Sequence, residues 1–313
     1  MTSRPLARAL AGAQAARWTG AASALAGLIL ITILALATTG AVTPWLMSGA
    51  AVLLGGMSVI VNGLIGREMA QRKELQRDLR AAAAVQRSLL PTALPELAGC
   101  EFAMSYRMSR EIGGDCVDAF TLPDGRVALL VGDVSGKGIA AALVMSGVQA
   151  QFRLLGEMGS GLADIAARIE QHLLDRANGR YVTAVLIFLD AATGTFDYLS
   201  AGHVPFVYVE SSGDPVEIAA TGPPMGLLPG MPREILRRSL PKGAALILVT
   251  DGVTERRQGD NDYGVGGLLA AAARMRGIPA QHAVDALLAD NDRFAGGIAA
   301  DDDLTVVVIR ATP

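Results

Sequence analysis

The chain has 313 residues, 51% of them hydrophobic and 18% charged, with a formal net charge of −3. Twenty-four arginines and three lysines do not outweigh 30 acidic residues, which leaves no basic stripe for nucleic acid, and two cysteines (Cys100 and Cys116) without a spacing pattern exclude a disulfide scaffold and a thiolate zinc site. Two departures from average composition direct the rest: no Asp, Glu, Lys, Arg or His lies between Arg17 and Arg67, a run of 49 residues, and the acidic residues divide into 19 Asp and 11 Glu.

The uncharged run argues against a purely soluble protein. After a tail at residues 1–19, segments 20–40 and 44–66 are each long enough to cross a hydrocarbon core of ~30 Å at ~1.5 Å per helical residue. A helix satisfies its own backbone, which lipid cannot do, so both are predicted to be spanning helices joined as a hairpin through Thr38-Thr39-Gly40 and Thr43-Pro44. Trp18 and Trp45 suit the interface. Arg4, Arg8 and Arg17 precede the first span, and Arg67, Arg72 and Lys73 follow the second. The positive-inside rule then puts both ends in the cytoplasm, as in a multi-pass protein of the inner (plasma) membrane. A cleavable signal peptide ending near Ala35–Ala37 competes with this reading, as does a buried hairpin in a soluble core.

Residues 67–95 form a linker: 67–90 is charged and helix-prone, and Pro91 and Pro95 end it. Met69, Leu75, Leu79, Ala82, Val85 and Leu89 fall near one helical stripe, which suits a spacer or a short coiled coil that pairs two copies into a homodimer.

Residues 96–313 read as one α+β domain. Strands are predicted at 101–106, 126–131, 183–189, 196–199, 206–209, 244–249 and 305–310, with helices at 139–157, 162–177, 263–273 and 279–292. Hairpin signals at 190–194 and 212–214, interrupted by helix pairs, point to antiparallel sheets covered by helices. Asp133, Asp251 and the Asp301–Asp303 run each abut a long apolar strand, and Asp115 and Asp118 flank a Gly-rich entry. Carboxylates crowded at one sheet rim stay ionised together only beside cations, and all-oxygen donors select Mg²⁺ or Mn²⁺. Taken singly, each cluster reads as a turn, as Asp124-Gly125 and Asp190 are taken to be. All four in one domain favour metal binding.

Sharper motifs fail. GDVSGKG (132–138) lacks the spacing and the Ser/Thr of a phosphate loop, and Gly264–Gly267 has no strand before it. Gly113-Gly114-Asp115 lacks the residues that complete a diguanylate cyclase signature. His203 reads as a turn residue or a support behind the site.

Taken in order, VQRSLLP (85–91), EIGGDCVD (111–118), GDVSGKG with AAALVM (140–145), AGH (201–203), TDGVTE (250–255) and DDLT (302–305) carry a pattern that resembles the SpoIIE/RsbU-type serine phosphatases of the metal-dependent PPM (PP2C-like) superfamily. The resemblance implies a four-layer αββα sandwich with two Mn²⁺ or Mg²⁺ ions at the sheet edge. It implies that Asp133 bridges both ions, with the Val134 carbonyl on one of them. Asp251 and Asp302 would complete the first site with Asp303 beside it, and Asp115 and Asp118 would serve the second. Cys116-Val117 replace the usual aromatic pair and Met108-Ser109 a Pro-Ala, changes expected to touch the pocket wall. Two cations would activate water for attack on phosphoserine or phosphothreonine of a small regulatory protein, of the anti-sigma-factor antagonist type. A membrane-tethered nucleotide cyclase and a non-catalytic scaffold are the alternatives.

Overall fold

The computed structural model describes residues 44–91, 94–109 and 112–312, together with Ile31 and Thr38. The predicted first span lies almost wholly outside these residues, as do Arg4, Arg8, Arg17 and Trp18. The chain divides into two units, residues 1–78 and 79–313.

In the first unit the described residues from 44 onward belong to helix α1 (Pro44–Leu89), which the sequence divides at Gly66 into a span and a linker. No proline follows Pro44 before Pro91, and a lone glycine costs a helix only about 1 kcal/mol, so nothing breaks it there. Val52, Leu53, Met57, Val59, Ile60 and Leu64 are all exposed. In the second unit, Ala83 is buried against Ile112 and Ala142 with Leu79 and Ala82 beside it. The predicted stripe is therefore divided: Leu79 and Ala82 pack on their own domain, whereas Met69, Leu75, Val85 and Leu89 stay exposed.

Two five-stranded antiparallel sheets form the centre of the second unit. One has the order β2 (Asp115–Thr121), β3 (Val127–Val134), β4 (Val182–Asp190), β5 (Thr195–Ala201) and β8 (Leu236–Ser239). The other has the order β1 (Cys100–Arg107), β12 (Leu304–Ala311), β9 (Ala245–Val249), β6 (Phe206–Val209) and β7 (Val216–Ile218). Between them Val131, Val185, Ile187 and Tyr198 meet Phe206, Leu246, Leu248 and Val307. On the outer face of the first sheet, Leu130 and Leu186 are covered by Phe152 of α2 (Ile139–Glu157) and Ile165 and Ile169 of α3 (Leu162–Arg176). On the second, Ile247 and Val306 lie under Leu268 of α5 (Gly264–Arg274) and Val284 and Leu287 of α6 (Ala280–Phe294), while the short α4 (Asp251–Thr254) follows β9. These are the four αββα layers that the resemblance implies. Helix α2 is long and apolar enough to cross a membrane, but its apolar face is buried in this layer.

Burial on both faces explains the strand sequences. Strands β3 and β4 are apolar at nearly every position because each side chain enters either the inter-sheet core or a helix layer. The turns follow the expected chemistry. Asp124 accepts the Arg126 amide at 3.1 Å in the β2–β3 turn, and Asp190 accepts the amides of Ala192 and Thr193 in the β4–β5 turn. The sequence reading misses β2, β7 and β8 and the small hairpin β10 (Arg257–Gln258) with β11 (Asn261–Asp262).

The long segment between β7 and β8 is held by Arg233, only 5% exposed at its side chain, in a bidentate pair with Glu170 of α3 (12% exposed) at 2.9 Å per contact. The same guanidinium donates to the carbonyls of Pro223 and Pro224. Removing one partner strands a buried charge. Glu170→Ala is expected to lower unfolding free energy by about 3 kcal/mol, measured by urea denaturation of the full chain.

Candidate metal centre

The site forms where the ends of the two sheets meet. In the first sheet the antiparallel register sets Asp115 opposite Asp133, and Asp133 opposite Thr183. In the second, β9 runs into Thr250 and Asp251 beside the start of β12, which Asp302 and Asp303 precede. Asp115, buried, joins the two. One carboxylate oxygen accepts the hydroxyls of Thr250 at 2.6 Å and Thr305 at 2.5 Å, both from the other sheet's strand ends. The Tyr106 hydroxyl donates to the Asp115 carbonyl at 3.2 Å.

Asp303 is buried and spoken for by backbone: Ser109 N–H donates to one oxygen at 2.8 Å and Gly114 N–H to the other at 3.0 Å. This fixes the Gly-rich loop over the rim. A Cβ on Gly113 would lie 2.1 Å from that carboxylate, and one on Gly252 would lie 2.0 Å from the Asp303 carbonyl, so neither position has room for a side chain. Gly114 has the same role for Asp133, whose carboxylate would stand 2.9 Å from an added Cβ, with the Val134 carbonyl at 3.4 Å. Asp302 is half-buried; one oxygen accepts the Asp303 amide at 3.0 Å and the other meets the Lys137 ammonium at 2.5 Å. Lys137 also donates to the Asp301 carbonyl at 3.0 Å.

Asp118 is not brought to this rim. It lies three residues along β2 from Asp115, and side chains alternate across a strand, so it points to the opposite face. There it pairs through both oxygens with Arg153 of α2, whose guanidinium also stacks 4.6 Å over the Phe120 ring. Cys116 and Val117 are likewise strand interior. Cys116 enters the helix-side core and Val117 the inter-sheet core, so the departure expected at a pocket wall is a change of core packing. Thr250, Thr305, Lys137 and the Ser109 amide are the parts that sequence reasoning passes over, although both threonines stand inside the motifs TDGVTE and DDLT.

Crowding has an electrostatic cost. Burial, then the charges of Asp251, Asp302 and Asp303, push Asp133 up to about 7. Burial, then Asp302 and Glu255, push Asp251 up to about 6. Asp115 is raised as well, by burial and by Asp133, against the two threonine hydroxyls that favour its ionised form. Among the described residues no three carboxylates surround one point at coordinating distance; Asp302 is engaged by Lys137 and Asp303 by amides. The donor set nevertheless fits a hard divalent cation: it is all oxygen, its members repel one another, and an ammonium already stands as counter-cation on Asp302.

The family model for Stage II sporulation protein E (SpoIIE) matches residues 123–312. Phosphoserine phosphatase RsbP of Bacillus subtilis is 28% identical over 155 residues, 48% of this chain and 38% of that protein. The structure of the RsbU and RsbW domains of Rv1364c from Mycobacterium tuberculosis superposes with a TM-score of 0.61 at 27% identity, over 71% of this chain and 64% of that one. The SiaA-PP2C domain of Pseudomonas aeruginosa does so with a TM-score of 0.67 at 19% identity, over 77% of this chain and 98% of that domain. The match takes in between 34% and 56% of the length of the curated relatives.

The raised carboxylates give the metal-free chain a pH dependence. Folded Asp133 and Asp251 hold protons over a window in which the unfolded chain, with carboxylates near 3.8, has lost them. The folded state binds more protons there, so stability falls as pH rises from about 4 to about 7. Calorimetry in EDTA should show the melting temperature falling across that window, and Mn²⁺ should raise it most at the upper end.

Proposed function

The chain belongs to the SpoIIE family, and from that premise we propose that it is a metal-dependent protein serine/threonine phosphatase anchored to a membrane. The observation that carries the reading is the meeting of Asp133, Asp251 and Asp302 at the junction of two sheets, mutually repelling and supported from behind by Asp115 and Asp303. Two divalent cations, Mn²⁺ or Mg²⁺, would be held by Asp133, Asp251, Asp302 and the Val134 carbonyl. When bound they supply the positive charge that keeps these groups ionised and the activation of water for in-line attack on phosphorus.

The chain's own residues do the positioning. Asp115, fixed by two hydroxyls, orients the inner side of the rim. Asp303 holds the Gly113–Gly114 loop close, so backbone rather than side chain lines that wall. Beside Asp302 a cavity of about 170 Å³, lined by Lys137, Gly252, Glu255, Arg256 and Arg257, is of a size to admit a phosphorylated side chain. Lys137, once released from Asp302, is a cation at this cavity for a non-bridging phosphate oxygen. The substrate is proposed to be a small phosphorylated regulatory protein of the anti-sigma-factor antagonist type, in keeping with the phosphoserine phosphatase activity in the name of RsbP.

Full-length protein in detergent is expected to release phosphate from a phosphoserine peptide with Mn²⁺ and to leave GTP unchanged. Asp133→Ala and Asp251→Ala should each lower that rate by at least a hundredfold, on the scale of losing the ligands of a catalytic metal. Cyclisation of GTP would instead support a tethered cyclase, and no turnover of either would support a scaffold.

Anchoring rests on the exposed apolar side chains of α1 and its length. Pairing of two copies through residues 67–90 rests on exposed Met69, Leu75, Val85 and Leu89. In cell membranes the full chain carrying Leu75→Cys should resist carbonate extraction and crosslink as a dimer. Release into the soluble fraction would remove the anchor, and absence of crosslinking the dimer.

A further inference from the structure

His203 follows β5 and Gly202, whose φ of 60° turns the chain back toward the rim. The turn is fixed from behind: Gly202 N–H donates to the Gly222 carbonyl at 2.7 Å, and a Cβ on Gly202 would lie 2.4 Å from the Pro224 ring. The imidazole is buried, 4% exposed, and makes two polar contacts of 3.0 Å, one to the Thr183 hydroxyl and one to the Val249 carbonyl.

Those partners stand on different sheets. Thr183 of β4 is opposite Asp133 in the register, and Val249 is the last residue of β9, two before Asp251. A carbonyl can only accept, so Nε2 carries the proton and donates to Val249. In the neutral ring Nδ1 then accepts from the Thr183 hydroxyl, and a single tautomer satisfies both partners. Apolar packing between the sheets resists a slide of whole strands but is non-directional, whereas two hydrogen bonds on one rigid ring set a distance at the rim itself.

We propose that His203 is a positioning residue: by tying β9 to β4 it sets the separation between Asp251 and Asp133, and with it the spacing of the cation site. This rests on the metal-dependent reading above. The residue touches neither the carboxylates nor, on that reading, the substrate, so its effect passes entirely through the two strands.

The test uses the full chain in detergent, stripped with EDTA and titrated with Mn²⁺ by calorimetry, alongside melting temperature and phosphopeptide kinetics. His203→Phe fills the space without either hydrogen bond, and Thr183→Val removes one. Both are expected to weaken Mn²⁺ binding by about tenfold or more, the usual range for removing a group that orients metal ligands, and to lower kcat with KM little changed. His203→Gln, which can donate to Val249 and accept from Thr183, should recover part of the loss. Phe196→Leu, a core change at the far end of β5, should lower the melting temperature while leaving Mn²⁺ affinity unchanged.

Wild-type Mn²⁺ affinity in both His203→Phe and Thr183→Val would overturn the proposal. So would an affinity loss that merely tracks melting temperature and includes Phe196→Leu. Histidine ¹⁵N spectra of the wild type give a check that needs no variant, since an unprotonated Nε2 leaves the Val249 carbonyl without its donor and contradicts the brace. A wild-type chain that neither binds Mn²⁺ nor hydrolyses the peptide would overturn the brace together with the reading beneath it.

Discussion

Like charges pressed together at the end of a β-sandwich are the constraint from which the other features follow. Asp251 and Asp302 raise the proton affinity of Asp133, Asp302 raises that of Asp251, and the groups remain close because the sandwich behind them cannot relax. Strands buried on both faces provide that stiffness: every slide of β3 or β9 would disturb two packed layers at once. The repulsion is thus held in place by hydrophobic burial elsewhere. Polar atoms behind the rim then determine where Asp115 and Asp303 stand, through threonine hydroxyls on the first and amides on the second.

The glycines belong to the same logic. At Gly113, Gly114 and Gly252 the backbone approaches an acidic side chain or a carbonyl so closely that a methyl group has no space. None of the three is needed for a left-handed turn; each is there for close approach. Gly136 and Gly138 differ, since their φ values of 90° and 83° shape the loop that carries Lys137 back over the rim.

Much of this was legible in the chain, and the illegible parts have definite causes. Strands β3, β4, β9 and β12 announce themselves as apolar runs because both faces are covered, and Asp133, Asp251 and the Asp301–Asp303 run stand out as charges at the ends of β3, β9 and β12. Strand β2 hides because two buried aspartates interrupt its apolar pattern. Asp118 pairs with Asp115 in the EIGGDCVD motif and in what the resemblance implies, although an odd separation along a strand sends the two to opposite faces. Long-range partners leave no local trace: His203 meets Thr183 and Val249, 20 and 46 residues away, and Asp115 meets Thr305 across 190. The strands β7, β8, β10 and β11 are short and mostly exposed, with too few apolar positions to show a period.

On the proposed cation site, the lysine on Asp302 would turn ion uptake into an exchange. A cation arriving at this carboxylate would displace an ammonium rather than water, so its affinity would be reduced by the worth of the pair. Both side chains are partly open to solvent, 40% for Lys137 and 35% for Asp302, and such pairs contribute about 1 kcal/mol at most. That corresponds to less than a tenfold handicap for the incoming ion. In return the ion-free chain keeps one of its crowded charges neutralised by its own side chain.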